Sequence, residues 1–171
     1  MTTPNTRLQN CAGACATAGN GNSRIDTPTF PAIPTATQEG AVAFAHLSAA
    51  DLISGIDYAN TAAVTFGRNL PAVKAGGGLW IGYAATAIAN TGVTAGRHYA
   101  VLNGDVATPT ATSGAVNATS AANIDRKLDD GKPNTGSVSS VGTGCTVGAT
   151  TTMTYDEATN GVCVMYSRVL N

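Results

Sequence analysis

The apolar and polar positions change pattern several times along the chain. In residues 1–38, Pro4, Pro28, Pro31 and Pro34, with Gly19, Gly21 and several Asn and Thr, interrupt any period before it can become a helix or strand. A loop region is expected there. From Glu39, Ala43, Phe44, Leu47, Ala50 and Leu52/Ile53 recur at helical spacing, Ser48 and Asp51 fall off that stripe, and Gly55 stands where a C-terminal cap belongs. The spacing predicts an amphipathic helix over 39–53. Between 64 and 117 the pattern is strand-like: residues 79–84 and 98–102 are short aromatic and branched runs, bounded by Gly76-Gly77-Gly78, Gly96 and Asn103-Gly104 as turns. Residues 107–118 are almost all Thr, Ala, Ser and Gly and read as a surface connection. Thr119 or Ser120 then caps a helix of two to three turns with Ala121, Ile124 and Leu128 on one face, stopped by Gly131 and Pro133. Residues 136–141 and 162–170 alternate as strands of a C-terminal antiparallel meander.

Composition narrows the core and the partners. A chain of 171 residues suits one domain, the loop region 1–38 followed by the remainder, 39–171. Ala, Gly and Thr supply 75 of the 171 positions and aromatics only 5%, so a thin core of Val, Ile, Leu and Ala is expected. The net charge of -1, with no block of like charges, leaves no excess of Lys or Arg to neutralise a phosphate backbone, and nucleic acid is not expected as a partner. A hydrophobic fraction of 43% and a mean hydropathy of +0.06 are those of a globular chain. There is no apolar run near 18 residues and no basic-then-apolar leader, so the expectation is either a cytosolic protein or one whose targeting segment has been cut away.

The four cysteines bear on that choice. Cys11 and Cys15 are four positions apart, and Cys145 and Cys163 bracket an 18-residue step. A zinc site, four reduced thiols and two disulfides are the available readings. The second pair lacks the short spacing of a zinc site, and His46 and His98 lie far from either pair in sequence. Disulfides in an oxidising compartment are therefore expected. Three connectivities exist, and locality favours Cys11–Cys15 with Cys145–Cys163.

Asp125, Asp129 and Asp130 form the chain's carboxylate cluster, with Asp125 and Asp129 sharing a helix face. As a general acid/base pair they would need a polarised partner, which two isolated histidines do not supply. As calcium ligands they are hard oxygens, to which Asn134 and carbonyls of the 131–134 loop could be added. As structure, they would pair with Arg126, Lys127 or Lys132 and accept N–H bonds from the turn, and this reading leads. No cofactor is expected, calcium being the one candidate. Gly19-Asn20-Gly21-Asn22-Ser23-Arg24-Ile25 matches a calcium loop poorly, since Ala18 stands at its first carboxylate and Thr29 at its terminal Glu. The triple glycine is no phosphate loop, because no Gly-Lys-Ser/Thr follows. Asn117-Ala118-Thr119 is a lone glycosylation sequon. No nucleophile constellation can be assembled, and the chain is not expected to be an enzyme.

The run Asn123-Ile124-Asp125-Arg126-Lys127-Leu128-Asp129-Asp130-Gly131-Lys132-Pro133-Asn134-Thr135-Gly136-Ser137-Val138, followed by Cys145, Tyr155 and Cys163, resembles the C-terminal part of bacterial type IV pilin-like proteins. Its motif positions are Asp125, Lys127, Asp129, Asp130, Gly131, Pro133 and Gly136. Upstream, Gly19 to Asn22 with Ile25, then Glu39, Phe44, His46-Leu47, Ala49-Ala50 and Leu52 to Gly55, is similar to their loop and following helix. The resemblance implies an α+β head domain, its N-terminal loop and helix packed on an antiparallel sheet. It further implies polymerisation with other pilin or pseudopilin subunits into a pilus or secretion pseudopilus, and no catalysis. Family members begin with a basic leader and a long apolar helix that anchors the precursor in the inner membrane. Here Met1-Thr2-Thr3-Pro4 opens on the loop, so the chain is expected to be a head without that transmembrane helix, its setting the periplasm or an extracellular filament. A periplasmic or surface module that binds a carbohydrate or protein is the alternative.

Overall fold

In a computed structural model, residues 4–8, 11–27, 29–57, 59, 61–104, 113–159 and 161–170 are described. The fold is α+β. Two helices, α1 (Glu39–Ala49) and α2 (Ala118–Leu128), accompany the strands β1 (Gly78–Ala84), β2 (Arg97–Asn103), β3 (Val116–Asn117), β4 (Val138–Val141), β5 (Thr146–Val147), β6 (Thr154–Tyr155) and β7 (Val162–Leu170). No helix among the described residues is long and apolar enough to cross a membrane.

The main sheet is antiparallel and built around β7. β1 pairs with β2 in the register Leu79↔Leu102 and Tyr83↔His98, and β2 pairs with one side of β7, with Val101 opposite Tyr166. The other side of β7 is shared by β4, from Val138↔Ser167 to Val141↔Val164, and by β3, with Val116 opposite Cys163. The strand expectations at 79–84, 98–102, 136–141 and 162–170 thus correspond to β1, β2, β4 and β7. The short strands β3, β5 and β6 were not anticipated from the pattern. β3 lies within the stretch expected as a surface connection, of which residues 105–112 are outside the described residues.

Two cores flank the sheet. In the larger, Trp80, Val101, Val164, Tyr99 and Tyr166 pack with Leu70, Phe44 and Ala41. Phe30, from the Pro-rich loop region, sets its ring 5.5 Å from that of Trp80, 5.9 Å from Tyr99 and 6.0 Å from Tyr166. Four of the scarce aromatics are therefore gathered at one place, where each removes a large apolar area from water. The smaller core joins Ala118, Ala121 and Ala122 of α2 to Val138, Met165, Cys145, Cys163 and Tyr155.

The outer edges of β1 and β4 are partly covered. On β1, Leu79 N–H donates to Pro71 O and Tyr83 N–H to Ile25 O, at 3.0 and 2.9 Å. On β4, Ser140 N–H donates to Pro133 O at 2.7 Å. Such covering interrupts the open row of donors and acceptors that invites strand addition.

The helices differ from their expected limits. α1 ends at Ala49, not near residue 53, because Asp51 adopts φ 57° and closes a terminal turn in which Leu52 N–H donates to Leu47 O and Asp51 N–H to Ser48 O, both at 3.0 Å. Its buried stripe is Ala41, Phe44, Ala45 and Ser48, whereas Leu47 and Leu52, expected inside, are 37% and 71% exposed. Gly40 explains the rotation: a Cβ there would lie 2.6 Å from Ile81 O, so the helix meets β1 through its small-residue side. α2 is capped by Asn117, not by Thr119 or Ser120: the Asn117 side chain accepts from Ser120 N–H at 2.8 Å. The sequon asparagine is thus a helix cap. Asp125 replaces Leu128 on the buried face, and Leu128 is 66% exposed.

Candidate functional site

The last turns of α2 and the turn that leads to β4 contain all seven motif residues, Asp125 and Lys127 on the helix and the other five beyond it, and the carboxylates hold the turn together. Asp125, fully buried, accepts from Gly131 N–H (3.2 Å) through one oxygen and from the Tyr155 hydroxyl (2.7 Å) through the other. The same hydroxyl lies 3.1 Å from Ser140 Oγ on β4. Asp129 accepts from the backbone N–H groups of Ser137 and of Val138, the latter at 2.9 Å. Asp130 accepts from Lys132 N–H at 2.9 Å and from the Thr135 hydroxyl. Each aspartate therefore satisfies donors of the turn that would otherwise lack an intramolecular partner.

The remaining motif residues follow from that arrangement. Gly131 and Gly136 have φ of +74° and +77°, and a Cβ on Gly136 would fall 1.8 Å from the Asp129 carboxylate. Pro133 is buried, with its carbonyl on β4. The Asn134 amide donates to Thr150 O at 2.6 Å, fastening the turn to the disulfide-closed loop. Lys127 is exposed on α2. The expected pairing of the aspartates with Arg126, Lys127 or Lys132 is replaced by an ion pair between Arg126 and Glu157.

The environments push the carboxylates in opposite directions. Burial raises Asp125 above the usual carboxylate range, against the pull of its hydrogen bonds from Tyr155 and Gly131. The Val138 and Ser137 N–H groups lower Asp129. Tyr155 is raised by burial, so it stays a neutral donor to Asp125. Asp125, Asp129 and Asp130, three of the four calcium candidates, each offer an oxygen within 4.8 Å of the others, and each also accepts hydrogen bonds from the protein.

Cys11–Cys15 and Cys145–Cys163 are disulfides, each with Cα atoms 5.1 Å apart, and no cysteine is free. The second closes the loop that carries the β5–β6 pair, and both of its sulfurs are buried. The first lies beside α1, where His46 Nε2 is 2.9 Å from Cys15 O. That contact was not legible in the sequence, since 31 residues separate the partners.

No family model, curated protein or solved structure matches the chain. The Asn-rich loop at 19–26 is likewise closed by its own groups. Asn20 and Asn22 donate their amides to Asp26, at 3.0 and 2.5 Å, and lower its pKa. Glu39, at the start of α1, accepts from Asn20 N–H (2.7 Å) and Asp26 N–H (2.9 Å), a bracing role the sequence reading missed. His98 Nε2 accepts from Ile25 N–H at 3.0 Å, and loss of solvation lowers its pKa. Its lone pair is therefore engaged by backbone.

Proposed function

We propose that this chain is the head domain of a filament subunit, a major or minor pilin or a pseudopilin, acting through subunit contacts and an exposed surface and not through catalysis. The observation that supports this most is the Asp-Asp-Gly turn. The aspartates and Asn134 of the run that carries the resemblance brace α2, β4 and the disulfide-closed loop against one another. The edges of β1 and β4 are partly covered, so in this reading subunits meet chiefly through side-chain surfaces. Two disulfides accord with a periplasmic or extracellular setting. The coding sequence upstream of residue 1 tests the reading. An apolar helix of about 20 residues behind a basic leader agrees with it, and an ordinary cleaved signal peptide overturns it.

A second reading, a surface module binding a carbohydrate or protein, is favoured by one feature. An open cleft of about 600 Å³ runs between residues 33–37 and 61–65, with Thr35, Thr37, Thr61 and Thr65 beside Ile33 and Val64. Retention on immobilised glycans that disappears in Thr37→Val/Thr65→Val protein would support it.

A further inference from the structure

Among the described residues, two groups bring three or more metal-ligating side chains together, and they differ in kind. In the acidic group each carboxylate accepts hydrogen bonds from the turn or from Tyr155. The other unites both cysteines of the first disulfide with His46, one donor atom from each lying within 4.8 Å of the others. We propose that Cys11, Cys15 and His46 form a latent site for a thiophilic divalent cation, zinc above all, which opens when a dithiol reductant cleaves the Cys11–Cys15 bond.

The chemistry balances simply. A dithiol delivers two electrons and two protons to the sulfur–sulfur bond and leaves as its own disulfide. The cation then displaces the two thiol protons to solvent as it binds the thiolates. Zinc holds sulfur at about 2.3 Å and imidazole nitrogen at about 2.0 Å, so a tetrahedral ion sets its donors roughly 3.5–3.8 Å apart. Donors already within 4.8 Å of one another reach that spacing with small side-chain movements.

Three further features suit a site. A carbonyl oxygen can only accept, so the 2.9 Å contact to Cys15 O makes His46 Nε2 the protonated nitrogen and leaves Nδ1 with the lone pair in the neutral ring. Such a ring N–H to carbonyl bond is how metal-bound histidines are commonly oriented. The donors sit on two regular elements, the 3₁₀ turn Gly13–Ala16 with Cys11 just before it and α1, clamped by Leu8, Ala45 and Ala49. His46 also borders a cavity of about 180 Å³ shared with Gly19, Arg24 and Glu39, which gives its ring room to turn toward the sulfurs. Cys145 and Cys163 offer a contrast, since among the described residues no third ligand joins them at the same distance.

The test uses the full chain, before and after treatment with a phosphine reductant to the point where peptide mapping shows Cys11 and Cys15 as thiols. Cobalt(II) serves as the visible probe and zinc as its competitor. The expected result is uptake of one cobalt by the reduced chain alone, with a sulfur-to-cobalt charge-transfer band and intense tetrahedral ligand-field bands that zinc abolishes. Zinc should also protect Cys11 and Cys15 from alkylation, with no protection at Cys145 or Cys163. His46→Ala should weaken cobalt binding by more than about 100-fold, since losing even an outer partner of a metal ligand costs about 10–100-fold. Cobalt uptake by the unreduced chain, protection centred on Cys145 and Cys163, or undiminished affinity in His46→Ala would each overturn the proposal. So would the absence of any cobalt spectrum from reduced chain whose circular dichroism matches that of the unreduced protein.

Discussion

The hydroxyl of Tyr155 is the partner that makes a buried Asp125 tolerable, and removing it tests the turn directly. Tyr155→Phe keeps the ring and deletes one hydrogen bond to a buried carboxylate. A loss of about 1–3 kcal/mol is expected in urea denaturation. Two glycines separate backbone strain from collision. Gly55→Ala, at φ +82° with nothing within 4 Å, should cost about 1–2 kcal/mol. Gly136→Ala, at φ +77° and against the Asp129 carboxylate, should cost about 3 kcal/mol or more. His98 gives a pH signature. Its folded pKa is depressed by desolvation, so as pH falls below about 6.5 the unfolded chain takes up a proton that the folded chain resists, and stability drops. His98→Gln, which cannot titrate, should show a smaller loss of denaturation midpoint between about pH 7.5 and pH 5.5. Asp129 works in the acid range with the same sign: its depressed pKa stabilises the fold above the ordinary carboxylate value and that contribution is lost as pH falls through the folded pKa. At this scale the sequence singled out the Asp-Asp-Gly run as the chain's carboxylate cluster, yet the donors each aspartate meets are set by the path of the turn and were not legible.

Among the elements, the two disulfides close loops of different length and should contribute unequally. Loop-closure entropy assigns about 3 kcal/mol to Cys145–Cys163 and about 2 kcal/mol to Cys11–Cys15. Cys145→Ser/Cys163→Ser should therefore lower stability more than Cys11→Ser/Cys15→Ser, and mass spectrometry of the unreduced protein should find no free thiol. The strands were legible because β1 and β2 are aromatic and branched runs between glycine turns. The buried face of α1 was not. In Glu-Gly-Ala-Val-Ala-Phe-Ala the small residues give little contrast between faces, and the choice falls to Gly40, which alone allows close approach to the β1 backbone. The end of α1 was hidden for a related reason. An aspartate, Asp51, takes the left-handed position more often filled by glycine, so Gly55 drew the expected cap four residues too late.

Among the described residues the molecule is a sheet whose β1 and β4 edges are partly covered, with three apolar clusters and a C-terminal loop tied to its central strand. Several large side chains are concentrated around Phe30 and Trp80, and much of the remaining order comes from side chains that cap backbone: Glu39, Asn20 and Asn22 in the Asn-rich loop, Asn117 on α2, Asp125 within it, and Asp129 and Asp130 beyond it. A chain so poor in large apolar residues gains from cross-links and caps that restrict it locally. The central proposal is that this body is held in an assembly outside the reducing cytosol. It is tested most directly by shearing surface filaments from cells that express the native gene with an epitope tag, then locating the tag by immunogold electron microscopy. The account predicts gold along the filaments and the tagged protein in the sheared fraction. Filaments free of label, with the protein recovered only as soluble monomer, would contradict it.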